Sequence, residues 1–144
     1  MMKKDIQDLV EYALTSETNK KRELVIGKVS KKQAKEIEGL ININLEGVER
    51  IIDSYMIRHA LGKHGSPTKE AKQGQIAITI DDFILLPEVY IHPDKIEYIG
   101  KNSLKQDLLR YSKKIDESLL IIEALRVSKR GYKLIFTTMY KKKK

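Results

Sequence analysis

The chain contains no cysteine and no tryptophan, and it has only two phenylalanines and three histidines among 144 residues. Without cysteine, it cannot form disulfides, thiolate nucleophiles or cysteine-ligated zinc and iron–sulfur sites. Its few aromatic side chains argue against the stacking platform of sequence-tolerant single-strand binders. No apolar run approaches the roughly 20 residues that a membrane span needs. The N-terminal residues lead into an amphipathic segment instead of a signal-peptide core, so we expect a cytoplasmic protein without a membrane partner.

The charged residues are unbalanced, with 28 Lys and Arg against 20 Asp and Glu, for a formal net charge of +8 at pH 7. Such a chain attracts polyanions, because neutralising phosphates with Lys and Arg releases counterions. Nucleic acid is therefore the expected partner. Half of the excess charge is the lysine run at 141–144, which we expect to be a basic tail on a mildly basic body.

Hydrophobic periodicity predicts helices first and a strand-rich half afterwards. Apolar residues at helical spacing predict a helix over 3–15, and a polar linker follows to residue 22. Ser30 is a good N-cap for a helix that Gly39 ends, and a second apolar stripe predicts a helix over 48–62. Thr79 is the N-cap of a further predicted helix, which Pro87 ends or bends.

Strand patterns and turn residues complete the predicted fold. Alternating apolar residues predict strands over 23–29, 40–45, 95–99, 108–115, 119–127 and 132–140, with a turn at 92–94. The polar segment 66–75 is predicted to be a mobile loop near a site. The fold class is therefore α+β, in which N-terminal helices precede an antiparallel sheet of four strands or slightly more. We expect a helix and linker over 1–21, one domain over 22–140 and the tail. Helices on one face of the sheet would leave the other face free for substrate.

Two of the three histidines lie five residues apart, at His59 and His64, beside Arg58 and Lys63. Imidazole titrates near neutrality, so such a pair is suited to acid–base work on a phosphodiester. His59 also lies beside an apolar stripe, where a histidine is often a core residue. A spacing of five puts the two rings on different faces of a helix, which makes a poor metal site. No metal site and no cofactor is predicted.

Several short motifs occur in an order that resembles a known family. They are Leu-Val-Ile-Gly-Lys-Val-Ser at 24–30, Ile-Arg-His and Gly-Lys-His within 57–64, Thr-Ile-Asp-Asp-Phe through Leu-Pro-Glu at 79–88, His-Pro-Asp-Lys-Ile at 92–96 and Thr-Thr-Met-Tyr at 137–140. This order resembles the phage-associated nuclease domains of the barnase/EndoU/colicin/RelE-like (BECR) superfamily. The resemblance implies a metal-independent ribonuclease whose four-stranded sheet and flanking helix hold an acid–base pair and a cation. The family's His-x4-His pair and its terminal Thr or Ser with Tyr match His59, His64, Thr138 and Tyr140. No carboxylate base is evident from the sequence.

RNA cleavage by attack of the 2′-hydroxyl needs a base, an acid for the leaving oxygen and donors for the charge on phosphorus. His59 and His64 are the candidate base and acid. Thr138 and Tyr140 lie on one face of the last predicted strand, since side chains alternate there, and both can point at a phosphate. The candidate substrate-binding cations are Arg58, Lys63, Arg126 and Lys133, although Arg126 and Lys133 would also be ordinary solvated charges on a strand.

Three functions are consistent with the sequence. The first is an endoribonuclease, acting as a toxin or a phage-borne effector on RNA such as tRNA and held by an immunity or antitoxin protein. The second is an RNA-binding module of the same fold without catalysis. The third is a phage-related structural or protein-interaction domain whose basic charge serves an acidic partner.

Overall fold

The computed structural model describes residues 2–16, 20–114 and 117–142. This part of the chain forms an α+β fold with six helices and seven strands. The helices are α1 (Met2–Thr15), α2 (Lys31–Ile41), α3 (Ser54–His64), α4 (Pro67–Lys72), α5 (Ile80–Ile84) and α6 (Leu86–Ile91). The strands are β1 (Glu23–Lys28), β2 (Glu49–Asp53), β3 (Gln75–Ile76), β4 (Lys95–Lys101), β5 (Asp107–Lys114), β6 (Ser118–Ser128) and β7 (Gly131–Lys142).

The sheet has the strand order β1-β2-β7-β6-β5-β4, and β3 pairs with the end of β7. All pairings are antiparallel except β2 with β7, which run parallel at Arg50–Leu134 and Ile51–Ile135. The meander β4–β7 corresponds to the four strands predicted from the sequence. The sheet is nevertheless larger than four strands, because β1, β2 and β3 extend it along the free side of β7.

The hydrophobic core lies between one face of this sheet and the helices. Tyr111 of β5 and Phe136 of β7 are fully buried on that face. Tyr90 of α6 packs edge-on against Tyr111, with ring centroids 5.1 Å apart, and Phe83 of α5 packs against Phe136 at 5.9 Å. Because side chains alternate along a strand, the residues between these core positions point to the opposite face, called the open face below.

Helix α3 lies alongside the middle of β7. On the edge of β7 away from β6, β2 pairs up to Ile135 and β3 pairs at Lys141 and Lys142. Among the described residues, no strand pairs with this edge over 136–140. α3 packs against β7, and the His64 ring lies 5.6 Å from that of Tyr140 within this stretch. Its last residue, His64, accepts a backbone hydrogen bond of 2.9 Å from Ile78. The end of α3 is thereby held next to the end of β7.

The strand predicted over 40–45 is wrong. α2 continues through Gly39 to Ile41 and ends at Asn42, which adopts a left-handed conformation with φ 61° and donates its backbone N–H to Glu38. The strand of this region is β2 instead, and Asp53 separates it from α3 by accepting the backbone N–H of Met56 at 2.8 Å. The apolar stripe predicted as one helix over 48–62 therefore contains a strand and a helix in succession.

The loop predicted over 66–75 is also wrong, because this segment forms α4 and the first residue of β3. Ser66 accepts a backbone hydrogen bond from Lys69, and Pro67 lies in the first turn of α4, where its missing N–H costs nothing. The helix after Thr79 is confirmed and continues, after a break, as α6 with Pro87 in its first turn.

Parts of three predicted segments lie outside the described residues, namely 17–19 of the linker, residue 115 of one strand and residues 143–144 of the tail. Lys141 and Lys142 are in β7, and Lys141 forms an ion pair with Asp82 at 3.0 Å. No helix within the described ranges is long and apolar enough to cross a membrane.

Candidate functional site

A row of polar side chains crosses the open face of the meander. Glu97 of β4 is in register with Arg110 of β5, and Arg110 is in register with Ile122 of β6. Ile122 is in turn in register with Thr138 of β7. Paired residues of adjacent strands share a face, and Tyr140 shares it with Thr138 because the two are alternate residues. The open face therefore carries Glu97, Arg110, Thr138 and Tyr140 together.

Arg110 joins two of these groups by hydrogen bonds. Its Nη1 donates to the Tyr140 hydroxyl at 3.3 Å, while its Nη2 and Nε donate to Glu97 Oε1 at 3.2 and 3.3 Å. Partial burial lowers the pKa of Arg110, but its contacts with Tyr140 and Glu97 outweigh burial and raise that pKa overall. Burial alone would raise the pKa of Glu97. The hydrogen bonds and charges of Arg110 and Lys95 outweigh burial, so that the pKa of Glu97 falls below its ordinary value. Glu97 is therefore a carboxylate at neutral pH.

His64 lies against the other side of Tyr140. The two ring centroids are 5.6 Å apart, and His64 Nδ1 contacts Glu70 Oε2 at 3.1 Å. Both members of this pair are buried, His64 at 7% exposed and Glu70 at 1%. When Nδ1 donates a hydrogen bond to this carboxylate, the ring orientation is fixed and Nε2 is the nitrogen left for other partners. The order across the open face is thus Glu97, Arg110, Tyr140 and His64, with a carboxylate and an imidazole on the two flanks.

Three buried polar atoms near this cluster have no hydrogen-bond partner among the described residues: Thr138 Oγ1, Glu70 Oε1 and Gln75 Oε1. Gln75 is in register with Lys142, which shares the face of Tyr140 by alternation. Leaving such groups unpaired is unfavourable by about 1–3 kcal/mol each. The interior next to His64 and Tyr140 is therefore polar but incompletely hydrogen-bonded.

The structure brings together three of the four catalytic residues predicted from the sequence, namely His64, Thr138 and Tyr140. His59 is exposed on α3, and a spacing of five residues turns it about 140° around the helix axis from His64. The described contacts do not join His59 to the cluster. Its catalytic role stays a prediction that the geometry of the open face does not support.

The four predicted substrate-binding cations lie in three different places. Arg58 donates from Nε to the carbonyl of Ala13 at 2.5 Å, which ties α3 to the end of α1. Lys63 is exposed near the end of α3. Arg126 and Lys133 face each other across β6 and β7, on the open face but about 13 Å along the strands from Ile122 and Thr138. Lys133 also forms an ion pair with Glu49.

Sequence reasoning missed Glu97, Arg110, Glu70 and Gln75. Glu97 and Arg110 are charged residues between core positions of strands that the periodicity predicted. Charged side chains on the opposite face of these strands could therefore have been chosen as candidates. Their meeting depends on strand register, which short strand patterns do not specify. Glu70 and Gln75 were missed because their segment was predicted to be a loop.

A second polar cluster is buried on the helix side of the sheet. Arg50, 3% exposed, donates from Nη1 to Glu123 at 2.7 Å and to Tyr111 at 3.0 Å, and it also bonds the side chain of Gln33. Its guanidinium lies over the rings of Tyr90 and Tyr111, at 4.5 and 5.0 Å from their centroids. Burial raises the pKa of both tyrosines well above the usual value. These contacts occupy Arg50 on several sides, which indicates a structural cluster.

Within the described ranges, no group of three or more His, Asp and Glu residues is arranged to hold a metal ion. A family model described as phage-Barnase-EndoU-ColicinE5/D-RelE like nuclease3 matches residues 27–144. Comparison with curated proteins and with solved structures found no significant match.

Proposed function

Because the chain belongs to the phage barnase/EndoU/colicin E5–D/RelE-like nuclease family, we propose that it is an endoribonuclease which cleaves RNA without a metal ion. One observation carries this proposal: on the open face, the hydrogen-bonded pair of Arg110 and Tyr140 lies between Glu97 and His64. A phosphate placed over Arg110 and Tyr140 would have a base on one side and an acid on the other, as in-line displacement requires.

Glu97 is the proposed base. It takes the proton of the ribose 2′-hydroxyl while that oxygen attacks the adjacent phosphorus. Because its pKa is held below the ordinary value by Arg110 and Lys95, Glu97 is ionised at neutral pH and ready to accept the proton. This carboxylate fills the role that the sequence alone left to a histidine.

Arg110 and Tyr140 are the proposed phosphate ligands. A guanidinium carries five N–H donors, and the contacts within the cluster engage Nε, Nη1 and Nη2 once each. Two N–H groups are left for the non-bridging phosphate oxygens. The phenol hydroxyl can donate to the same oxygens as negative charge builds up on them, which is where preorganised donors lower the barrier most.

His64 is the proposed acid. It gives a proton from Nε2 to the departing 5′-oxygen, while Glu70 holds the ring through Nδ1. The bond from phosphorus to the 2′-oxygen forms and the bond to the 5′-oxygen breaks. The products are a 2′,3′-cyclic phosphate and a free 5′-hydroxyl, and the transferred protons reside on Glu97 and on the leaving oxygen.

The burial of His64 favours a second candidate function. At 7% exposed, its ring has little access to a substrate unless the neighbouring side chains move. A buried His64–Glu70 pair would also serve as a purely structural contact in an RNA-binding module without catalysis. In either case Arg126 and Lys133, about 13 Å along the strands, are proposed as further phosphate contacts on the open face. A role as a toxin or phage-borne effector in the cytoplasm, a tRNA substrate and an immunity or antitoxin protein remain further proposals.

The decisive experiment incubates the purified protein with structured and total RNA in EDTA. Wild type is compared with the double variant Glu97→Gln/His64→Ala, and the cleaved ends are analysed. Cyclic phosphate ends that are lost in the double variant would support the proposed reaction. Salt-dependent RNA binding without cleavage would favour the binding module, and cleavage that EDTA abolishes would contradict the metal-independent mechanism. If the folded protein neither bound nor cleaved RNA, that result would favour a protein-interaction domain.

A further inference from the structure

A groove of about 600 Å³ lies between α1 and α5, and it is called the α1–α5 groove below. Its lining includes Val10 and Leu14 from α1 with Ile80 and Ile84 from α5. Leu14 and Ile80 are 49% and 47% exposed, which is high for large aliphatic side chains. The groove therefore offers an apolar floor on the surface of a charged protein.

The charges that line the α1–α5 groove have the opposite sign to the chain as a whole. Asp8, Glu11 and Asp81 are exposed there, and Lys4 is the cation among the lining residues. The net charge of the chain is nevertheless +8. A neighbouring cavity of about 380 Å³ shares Asp81 and Ile84 with the groove, so the depression continues along α5.

The α1–α5 groove is separate from the candidate nuclease site. α1 precedes residues 27–144, the part that matches the nuclease family. α5 packs on the core face of the sheet through the contact of Phe83 with Phe136, whereas Arg110 and Tyr140 lie on the open face. Together, α1 and α5 form a second surface with its own chemistry.

We propose that the α1–α5 groove binds a basic amphipathic helix of a partner protein. Apolar side chains on one face of that helix would cover Leu14 and Ile80, and its Lys and Arg residues would pair with Asp8, Glu11 and Asp81. α1 has 14 residues and is about 21 Å long, which is long enough to contact a helix whose anchors recur at i, i+3, i+4 and i+7.

Charge determines the choice of partner. RNA is repelled by the carboxylates that line the groove. A second copy of the chain, docked by a two-fold axis, would place the same carboxylates against each other. A cationic segment is attracted instead, and α5 already shows this preference within the chain, because Asp82 binds Lys141 at 3.0 Å. Asp81, the preceding residue, is exposed at the groove.

The test uses a fluorescein-labelled helical peptide of about 18 residues, some five turns, made of Leu and Lys with the leucines on one face. Two control peptides are a scrambled sequence of the same composition and a version with Glu in place of Lys. Fluorescence anisotropy measures binding to the full chain. We expect the basic amphipathic peptide to bind, and both Leu14→Asp and Asp8→Lys to weaken its binding by about ten-fold or more, as for central interface residues.

Matched variants separate the groove from non-specific attraction. Leu104→Asp alters a residue that is 74% exposed elsewhere, and Glu46→Lys makes the same charge change in an exposed turn; both should bind the peptide like wild type. Thermal unfolding must show that every variant is folded.

The assignment would be overturned if the groove and control variants lost peptide binding equally, or if the Glu peptide bound as tightly as the Lys peptide. The assignment would also be overturned if the wild type formed dimers that Leu14→Asp dissociates, or if the groove variants lost RNA binding. RNA cleavage should be the same in all four variants, so the nuclease proposal can fail independently.

Discussion

Arg110 and Tyr140 meet across an intervening strand. Arg110 is in β5 and Tyr140 in β7, yet the guanidinium Nη1 lies 3.3 Å from the phenol oxygen, above the side chains of β6. Neighbouring strands are about 4.8 Å apart, so the two residues span roughly twice that distance with their side chains. This contact fixes a cation and a hydroxyl at one point of the open face, where Glu97 and His64 approach from the two sides.

Replacing Tyr140 by Phe should lower cleavage while the fold is retained. The change removes one hydroxyl donor at the proposed phosphate position and keeps the ring that packs against His64. We expect kcat/KM for RNA to fall about ten-fold or more, since one preorganised donor can contribute 10²–10³. Tyr132→Phe, at the other end of β7, is the matched control and should be unchanged. A Tyr140→Phe protein with wild-type activity would remove the hydroxyl from the mechanism.

The two histidines of the His-x4-His motif should differ sharply. His64 contacts Glu70 and Tyr140, whereas His59 is exposed on another side of α3. We expect His64→Ala to lower kcat by about 10²–10⁴, the usual contribution of a general acid or base. His59→Ala should change it by less than about three-fold, within the range of a surface substitution.

His64→Ala also removes a buried side chain, so its activity must be compared with that of Glu70→Gln. That variant keeps the shape of the pair but weakens its charge. If His59→Ala lost activity and His64→Ala did not, the acid would have to be His59, and the cluster on the open face would not be the active site.

The acid limb of the pH–rate profile should report Glu97. A base acts only when deprotonated, and the pKa of Glu97 lies below its ordinary value of 4.5 because Arg110 and Lys95 outweigh its partial burial. Activity should therefore persist at pH values where an ordinary glutamate is half protonated. Lys95, 3.4 Å from Glu97, helps to set this limit.

Lys95→Met should raise the pKa of Glu97 and shift the acid limb to higher pH. Lys101→Met, on the same strand, removes a lysine that pairs with Asp107 instead and should leave the limb in place. Profiles of kcat/KM for wild type and the two variants distinguish these outcomes. A limb that does not move in Lys95→Met would show that another group is the base.

Local sequence signals predicted the parts of the fold that local chemistry determines. The meander β4–β7 was predicted because its strands are long and alternate clearly, and the helix after Thr79 because a capping residue and first-turn aspartates mark it. β2 was not predicted, because its apolar residues and those of α3 together fit the spacing of a single helix. Only the side chain of Asp53, which caps α3, marks the boundary between them.

The candidate site was predictable only where its residues are close in sequence. Thr138 and Tyr140 are alternate residues of one strand, so their common face followed from alternation alone. Glu97 and Arg110 are brought to Tyr140 by the register of three strand pairs, and Glu70 by the packing of α4 against the end of α3. These relationships depend on tertiary packing, which no short segment of the sequence contains.

The buried cluster around Arg50 should dominate stability. Arg50→Met would leave the Glu123 carboxylate, which is 0% exposed, without the guanidinium 2.7 Å away. Removing one partner of a buried ion pair typically reduces the free energy of unfolding by about 3–5 kcal/mol, because an uncompensated charge remains inside the protein.

Urea unfolding should show this loss of stability for Arg50→Met. It should show a clearly smaller loss for Arg50→Met/Glu123→Leu, in which both charges are removed. Lys133→Met, which breaks the partly exposed pair with Glu49, is the control and should have little effect. If the double variant were as unstable as Arg50→Met alone, the cluster would stabilise the fold through the packing of the Arg50 side chain between Tyr90 and Tyr111, and not through its charge.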